Sequence, residues 1–171
     1  QYSYLQCHPE VGLVGTGYKK FGEINRFKTI KNPADDAVIR ASLLFKSSIH
    51  HPTIMFRRRL VAEAGIRYNE NFISLNDRQF YYDISRRSRL ANIPDVLYRY
   101  RFHKDMVSKR CKPEIYREQC LFHDMWFKSG GIELSAEEKS VFDEYAAQGR
   151  CHIRDAEVLS RVEQVLAKLA A

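Results

Sequence analysis

An acidic residue and a set of cationic residues frame the stretch between residues 72 and 108, and they suggest chemistry on a negatively charged substrate. Asp77 lies where a helix is predicted to begin, and Arg101 and His103 lie in a strand further along the chain. A carboxylate can act as a general base, and cationic groups can stabilise a charged leaving group. The layout therefore predicts a site that handles negative charge.

The periodicity of the same stretch predicts the elements that position these residues. An apolar helical face follows Asn76 and ends in a turn rich in arginine. A short apolar run from Leu90 to Ile93 is predicted to stop at Pro94-Asp95. A separate strand is then expected over residues 96–103, because two sets of side chains alternate there. The two sets are Val96, Tyr98, Tyr100 and Phe102 on one face, and Leu97, Arg99, Arg101 and His103 on the other.

The order of these parts resembles the acceptor side of family 2 glycosyltransferases, which are inverting sugar transferases with a GT-A fold. The matching residues are Asn76-Asp77, Phe80, Arg86, Asn92-Ile93-Pro94, Leu97, Tyr100-Arg101, His103 and Ser108. The segments HPEVGLVGTGY, from His8, and HPTIMFRRRLVAEAGIRYNENF, from His51, also resemble that family. One clear departure is Asn76, which stands where the family usually has glutamate.

The resemblance implies a role for each candidate site residue. Asp77 would be the general base that removes a proton from the acceptor hydroxyl as it attacks the anomeric carbon. Asn76, Thr53 and Arg57 would lie on the acceptor side. The remaining candidates, facing the nucleotide diphosphate, are Arg101, His103 and Lys104, with Lys109 and Arg110 nearby. A divalent metal, Mn or Mg, is expected in the intact enzyme, with His103 as a candidate ligand.

Each of these residues also has an ordinary structural interpretation. Asn76 can cap a helix whose positive N-terminus simply favours Asp77. His103 can be a strand-end histidine bonded to the backbone, and Arg101 can form a structural ion pair. Thr53 and Arg57 can belong to the core and its surroundings, with Arg57 meeting a carboxylate below the site. The sequence leaves both interpretations open.

The fold class that follows is α/β, a partial GT-A mixed sheet with flanking helices. Residues 1–112 are predicted to be the acceptor-side half of a GT-A domain, and residues 113–171 a helical C-terminal extension. In the first part, a strand is expected at Val11–Thr16 and a helix opened by Pro33, with Asn32 as its candidate cap. In the second part, a helix is expected to stop at Gly130-Gly131, and Ser135 and Glu138 have the spacing of a capping box. The last helix carries an apolar stripe of Val158, Leu159, Val162, Val165, Leu166 and Leu169.

Composition excludes several classes of protein. No apolar run approaches the ~20 residues needed to span a bilayer, and no basic, apolar leader opens the chain. The four cysteines lack the spacing of a disulfide framework, which favours free thiols in a reducing compartment. We therefore expect a cytoplasmic location, including the inner face of the membrane. The grouping of Cys120, His123, Cys151 and His152 fits no common zinc-finger spacing.

The charge is distributed unevenly along the chain. Residues 1–112 hold 21 Lys and Arg against 10 Asp and Glu, whereas residues 113–171 hold 7 against 11. The basic part can face a nucleotide diphosphate, anionic lipid headgroups or nucleic acid, or it can be a solvated surface. Nucleic-acid binding is the weaker alternative, because the aromatic and arginine residues of YRYRFH come without an RNP, KH or zinc signature. A non-catalytic interaction module is a further alternative.

The absence of a donor motif limits what these residues can do alone. The metal-binding Asp-x-Asp of GT-A enzymes occurs nowhere in the 171 residues, so the chain alone is expected to be inactive. The intact enzyme would take a nucleotide-sugar and a glycan or lipid-linked acceptor, with peripheral membrane contact open to it. We also expect a homodimer, because apolar faces and a sheet edge would be left uncovered.

Overall fold

The chain falls into two units, Gln1–Lys112 and Pro113–Ala171. The computed structural model describes residues 1–23, 27–103, 112–148 and 156–170. Predictions for seven residues lie outside these ranges: Lys104, Ser108, Lys109, Arg110, Cys111, Cys151 and His152. The predicted α/β class is confirmed, since a four-stranded mixed sheet is flanked by helices and followed by a helical C-terminal part. This arrangement is consistent with a partial GT-A-like fold.

The first unit contains both helices and strands. Its helices are α1 (Tyr2–Cys7), α2 (Asp36–Leu43), α3 (Arg58–Glu63) and α4 (Asn76–Ser85), with a 3-10 turn at His51–Thr53. Its strands are β1 (Val11–Gly22), β2 (Lys28–Ile30), β3 (Met55–Phe56) and β4 (Arg89–Phe102).

Strand β1 is the centre of the sheet. Strand β4 runs parallel to it along its whole length, while β3 and β2 pair antiparallel with its first and second halves on the other side. The β1 residues from Val11 to Gly17 are all buried, as expected for a strand covered on both faces. The strand therefore extends well beyond the predicted end at Thr16 and aligns the two long chain segments that carry the candidate site residues.

Strand β4 is one strand, so the prediction that Pro94-Asp95 ends a first run was wrong. Thr16 pairs with Ile93 and Gly17 pairs with Val96, which leaves Pro94 and Asp95 outside the register. These two residues form a β-bulge. Proline fits there because it has no amide hydrogen to donate to the neighbouring strand. The predicted alternation beyond it is confirmed, with Leu97, Arg99 and Arg101 exposed. The aromatic face is half-buried rather than core.

Two glycines of β1 have clear structural roles. A side chain at Gly15 would overlap the Asn92 side chain, so glycine permits the close approach of β1 and β4 there. Gly22 has a φ of 102°, which other residues rarely adopt, at the end of the strand. The glycines of this segment thus belong to a strand and its end.

Side chains outside the sheet fix the loops around it. Asn92 is 1% exposed and donates to the Pro33 carbonyl at 2.8 Å and the Ser48 carbonyl at 3.2 Å. The cap of α2 is Asp35, whose carboxylate accepts the Val38 amide hydrogen bond at 3.0 Å. Asn32 does not cap this helix because its amide donates to the Thr16 carbonyl instead, at 3.1 Å. The residues of the Asn-Ile-Pro segment therefore hold loops together as well as forming a strand.

The second unit consists of three helices. They are α5 (Lys112–Gly130), α6 (Ala136–Gln148) and α7 (Ala156–Ala170). The predicted capping box is confirmed, since Ser135 and Glu138 each accept a hydrogen bond from the other's amide, at 3.2 and 2.9 Å. In the predicted α7 stripe, Val162 and Val165 are buried within this unit. The stripe is thus already covered at these two positions.

Two further properties follow from the described part of the chain. Cys7 and Cys120 both carry free thiols there, as the cysteine spacing predicts. Over the same ranges, no helix combines the length and apolar character needed to cross a bilayer.

Candidate functional site

Asp77 lies in the first turn of α4. The helix begins at Asn76 and is preceded by Leu75, whose side chain makes no capping bond, so the suggestion that Asn76 caps the helix was wrong. The Asp77 Oδ1 atom accepts the Arg78 amide hydrogen bond at 2.6 Å. A carboxylate in this position is stabilised by the helix dipole. This position stabilises the negative charge of Asp77, which forms no ion pair with a described side chain.

The environment of Asp77 adjusts its basicity. Burial raises the pKa of this carboxyl above its usual value, while the Arg78 amide and the charges of His51 and Arg78 oppose the rise. A carboxylate whose pKa is raised binds a proton more readily, and that is the direction a general base requires. The local electrostatics therefore agree with the role that the resemblance implies for Asp77.

Arg78 anchors the start of α4 beneath the carboxylate. Its side chain is 3% exposed and donates to the carbonyls of Leu44 and Phe45, both at 3.3 Å. Burial lowers the pKa of Arg78 to about 10, and the Asp77 charge opposes that shift. The guanidinium joins the first turn of α4 to the end of α2. Asp77 is thereby held on a fixed backbone.

Three aromatic residues surround the Asp77 carboxylate. His51 Nδ1 and the Tyr81 hydroxyl lie 2.7 Å apart, and the His51 ring meets the Tyr68 ring edge-on at 5.8 Å between centroids. Burial raises the pKa of both tyrosines, and the negative charge of Asp77 raises each further. Tyr81 is buried, whereas His51 is exposed. The cluster is called the Asp77 site below: Asp77, His51, Tyr68 and Tyr81.

Sequence reasoning missed the three aromatic members of this site. The sequence places His51 at the start of the His-Pro-Thr segment of the resemblance and Tyr81 in the apolar helical face that follows Asn76, and it assigns neither residue to a site. No spacing in the chain relates His51 to Asp77, because the folding of the 3-10 turn onto α4 brings them together. The combination of His-Pro-Thr with a later acidic helix start is the one signal that pointed to this neighbourhood.

The residues predicted on the acceptor side have well-defined structural contacts. Thr53 is buried, and its hydroxyl donates to the His50 carbonyl at 2.7 Å and accepts the Thr16 amide at 3.1 Å. Arg57 donates to the carbonyls of Val11, Leu5 and His8 rather than to a carboxylate. Asn76 is partly exposed beside Asp77. Of these three candidates, Asn76 lies next to the site, while Thr53 and Arg57 support the sheet beneath it.

Arg101 and His103 lie at a different place, the carboxyl ends of β1 and β4. They line a cavity of about 430 Å³ together with Gly22, Glu23 and Phe102. The Arg101 guanidinium lies 6.0 Å from the centroid of the Phe21 ring, a cation–π distance. Lys104, the third cationic candidate, falls outside the described residues. Asp77 does not line this cavity, so the structure separates the proposed base from the proposed diphosphate contacts.

The metal-ligating side chains at this cavity do not amount to a complete metal site. Glu23 and His103 are the two lining residues of that kind. Within the described ranges, no group of three or more His, Cys, Asp or Glu side chains is arranged to hold a metal ion. The described residues therefore do not by themselves complete a site for the expected Mn or Mg.

A second aromatic cluster lies around His50, which directly precedes His51 of the Asp77 site in the sequence. The His50 ring stacks on Tyr18 at 3.8 Å and meets the edge of Tyr100 at 4.6 Å. Burial lowers the pKa of His50 to about 4, and the charges of Lys20 and His51 add to the effect. His50 is therefore neutral near pH 7 and joins the half-buried aromatic face of β4 to β1.

The stability of the first unit should consequently fall in mild acid. Because the folded pKa of His50 is depressed, its contribution is intact above the unfolded value near 6.5 and is lost as the pH falls toward 4. Amide hydrogen exchange of β1 at pH 7 and pH 5 measures this loss. His50→Gln should reduce the pH dependence, whereas His8→Gln, at a more exposed position, should retain it. Equal pH dependence in His50→Gln and the unsubstituted chain would contradict the assignment.

Comparison with known proteins yields two relatives with related names. An uncharacterized glycosyltransferase of Haemophilus influenzae is 32% identical over 108 residues, 62% of this chain and 32% of that protein. The amylovoran biosynthesis glycosyltransferase AmsE of Erwinia amylovora is 32% identical over 111 residues, 64% of this chain and 41% of that protein. No family model matches. The chain thus aligns with about a third to two fifths of the length of these relatives.

Proposed function

We propose that this chain is the acceptor-side part of an inverting family 2 glycosyltransferase in which Asp77 is the general base. The observation that carries the proposal is the partly buried Asp77 carboxylate, fixed by Arg78 and surrounded by His51, Tyr68 and Tyr81. Its position agrees with the role that the resemblance assigns to it. The two relatives named as glycosyltransferases add independent support for the reaction class.

The proposed reaction is a single displacement. The acceptor hydroxyl oxygen attacks the anomeric carbon of the donor sugar, and its proton passes to a carboxylate oxygen of Asp77. The bond between the anomeric carbon and the nucleoside diphosphate breaks, and the diphosphate leaves with the bonding electrons. Attack from the opposite face inverts the anomeric configuration. Arg101, His103 and Lys104 are proposed to face the leaving diphosphate.

Under this proposal, residues outside this chain bind the nucleotide-sugar donor. The 171 residues contain no Asp-x-Asp, and among the described residues Glu23 and His103 are the two potential metal ligands that line the cavity. We propose a GT-A domain whose donor part supplies the remaining contacts for Mn or Mg. AmsE is named for amylovoran biosynthesis, and we extend that to bacterial polysaccharide biosynthesis with a glycan or lipid-linked acceptor. The proposed setting is the cytoplasmic face of the membrane, and a homodimer stays a prediction.

Nucleic-acid binding is less well supported than glycosyl transfer. The arginines that suggested it are already engaged with an aromatic ring, since Arg99 and Arg101 lie 5.1 and 6.0 Å from the Phe21 centroid. The aromatic residues of the same strand are half-buried against Tyr18 and His50. These contacts leave less of the strand available for stacking bases.

The proposal predicts that the chain alone neither binds a nucleotide-sugar tightly nor transfers sugar. Calorimetry with UDP- and GDP-sugars in the presence of manganese tests the binding. A longer polypeptide in which a donor part precedes this chain should bind one of them and transfer its sugar with inversion. Micromolar binding by the chain alone would show that the donor site has been assigned to the wrong residues. A longer polypeptide without transferase activity on any nucleotide-sugar would contradict the proposed function.

A further inference from the structure

A cavity of about 470 Å³ lies between the loop after α3 and one side of α4. It is called the arginine cavity here, and the residues that define it are Arg67, Tyr68, Gln79, Asp83, Arg86 and Arg87. The lining contains three arginines and one aspartate, so its formal charge is positive. A concave site with this charge favours an anionic ligand.

The side-chain contacts within the arginine cavity leave cationic groups available. Arg67 donates to the adjacent Ile66 carbonyl at 3.3 Å, and Arg86 donates to the Tyr82 hydroxyl at 3.1 Å. The Arg87 guanidinium has no partner among the described residues. Arginine presents several N–H donors in a planar fork that matches the oxygens of phosphate and carboxylate groups. The cavity therefore offers a suitable contact for either type of anion.

The Asp83 carboxylate does not fully neutralise the arginines of the arginine cavity. Gln79 Nε2 donates to Asp83 Oδ2 at 3.4 Å. Burial raises the pKa of Asp83, while Gln79 and the charge of Arg86 lower it. The Asp83 carboxylate thus accepts a hydrogen bond from a neutral amide, and the charge of Arg86 influences it from a distance. The positive charge at Arg67 and Arg87 persists.

Gln79 favours a ligand that carries a hydrogen-bond donor. Its Oε1 atom is buried and accepts no hydrogen bond from the described residues. A buried carbonyl oxygen of this kind is stabilised when a ligand hydroxyl donates to it. The lining consequently combines anion-binding groups with an acceptor for a hydroxyl, which is the combination that a charged sugar presents.

The arginine cavity shares a wall with the Asp77 site. Tyr68 lines the cavity, and its ring also lies edge-on to His51 at 5.8 Å. The negative charge of Asp77 raises the pKa of the Tyr68 hydroxyl, so the carboxylate lies close to that wall. Tyr68 is therefore a member of both the cavity wall and the Asp77 site.

We infer that the arginine cavity binds the acceptor through a negatively charged substituent, a phosphate or a carboxylate carried by a sugar. Arg67 and Arg87 contact the anion, and Gln79 Oε1 accepts a hydrogen bond from a hydroxyl of the same sugar. This inference rests on the proposed function, because it names the substrate class for which Asp77 would act as base. It adds that the acceptor is an anionic rather than a neutral glycan.

Binding of small sugars to the 171-residue chain tests the inference without any donor. An NMR titration at constant ionic strength would use glucose 6-phosphate, glucuronate, glucose and inorganic phosphate as probes. At least one of the two charged sugars should bind at least tenfold more tightly than glucose. A preference for glucose 6-phosphate would identify phosphate as the anion, and a preference for glucuronate would identify a carboxylate. Glucose binding as tightly as both charged sugars would overturn the inference.

Three variants locate the binding. Arg87→Glu should weaken the preferred charged sugar at least tenfold. Arg58→Glu makes the same charge change at an exposed residue outside the cavity and should have little effect. Gln79→Leu should weaken the charged sugar more than inorganic phosphate, because the loss of the Gln79–Asp83 hydrogen bond affects both ligands, whereas the hydroxyl contact is lost for the sugar alone. Equal effects of Arg87→Glu and Arg58→Glu, in variants with unchanged circular dichroism, would overturn the location.

Two outcomes separate this inference from the proposed function. Anionic sugars that bind at Arg87, in a longer polypeptide whose turnover does not depend on Asp77, would uphold the cavity and refute the base. Transfer to neutral acceptors with full dependence on Asp77 and no anion binding would refute the cavity alone. Tighter binding of a single-stranded oligonucleotide than of any charged sugar, with a steep salt dependence, would also overturn the inference in favour of nucleic acid.

Discussion

Replacing Asp77 with asparagine is expected to lower the turnover of the proposed longer enzyme by a factor on the order of 10² to 10⁴. Asparagine keeps the shape of the side chain but provides no basic oxygen for the acceptor proton. Substrate affinity should change little, because the lost interaction acts mainly in the transition state. Initial rates at saturating substrate, compared with binding of donor and acceptor measured separately, distinguish the two effects.

Stability provides the contrasting measurement for Asp77. Burial already disfavours the charged carboxylate, so Asp77→Asn should leave the thermal midpoint nearly unchanged or raise it slightly. If Asp77 served only to complement the helix dipole, the variant would lose a little stability and keep its turnover. Near-normal turnover would remove Asp77 from the mechanism.

Two control variants make the Asp77 experiment specific. Asp95→Asn makes the same chemical change at the exposed bulge of β4 and should keep normal activity. Asn76→Glu restores the acidic pair that is usual in the resembling family, beside an unchanged Asp77. Activity in this variant is expected if the site works as proposed. Loss of activity in Asp95→Asn would indicate that the assay responds to general changes of charge.

The second large effect is expected in the helical unit, where Asp143→Ala should lower the free energy of unfolding by about 3 kcal/mol. His123 is fully buried on α5, and its Nδ1 lies 2.5 Å from Asp143 Oδ1 on α6. Removal of the carboxylate takes away this partner while the imidazole stays in an apolar setting that includes Phe127 and Phe142. Urea unfolding followed by the fluorescence of Trp126, the one tryptophan of the chain and a residue of α5, measures the change.

The paired substitution separates polar from packing effects at His123 and Asp143. His123→Leu combined with Asp143→Leu removes both polar groups and should be less destabilising than Asp143→Ala alone. Lys139 should tolerate either change, because it keeps its 2.7 Å ion pair with Asp124. A loss below about 1 kcal/mol for Asp143→Ala would show that this pair contributes as little as an exposed one.

The sequence predicted those features that depend on local periodicity. The alternation of Leu97, Arg99 and Arg101 identified the second half of β4, and the spacing of Ser135 and Glu138 identified the start of α6. These patterns arise because a strand repeats every two residues and a capping box joins residues three apart. Local signals of this kind require no knowledge of the rest of the fold.

The failed predictions concern residues whose partners lie far away in the sequence. Asn32 was expected to cap α2, but its side-chain amide donates a hydrogen bond to the Thr16 carbonyl instead. Pro94 was expected to end a strand, but pairing with β1 continues on both sides of it. The contact of His51 with Tyr81, and their proximity to Asp77, likewise depend on how the 3-10 turn meets α4. Such contacts are set by the tertiary fold, and a single sequence does not contain their geometry.

The bulge at Pro94 and Asp95 has a consequence for self-association. Within the described residues, β4 pairs with β1 alone, so its outer edge resembles a template to which a foreign strand could add. Three features oppose this. The Leu90 amide donates to Asp36 Oδ1 at 2.8 Å, Pro94 has no amide hydrogen, and the arginines at 99 and 101 repel an identical edge. These features oppose the pairing of two copies along this edge, so the predicted homodimer would have to form through another surface.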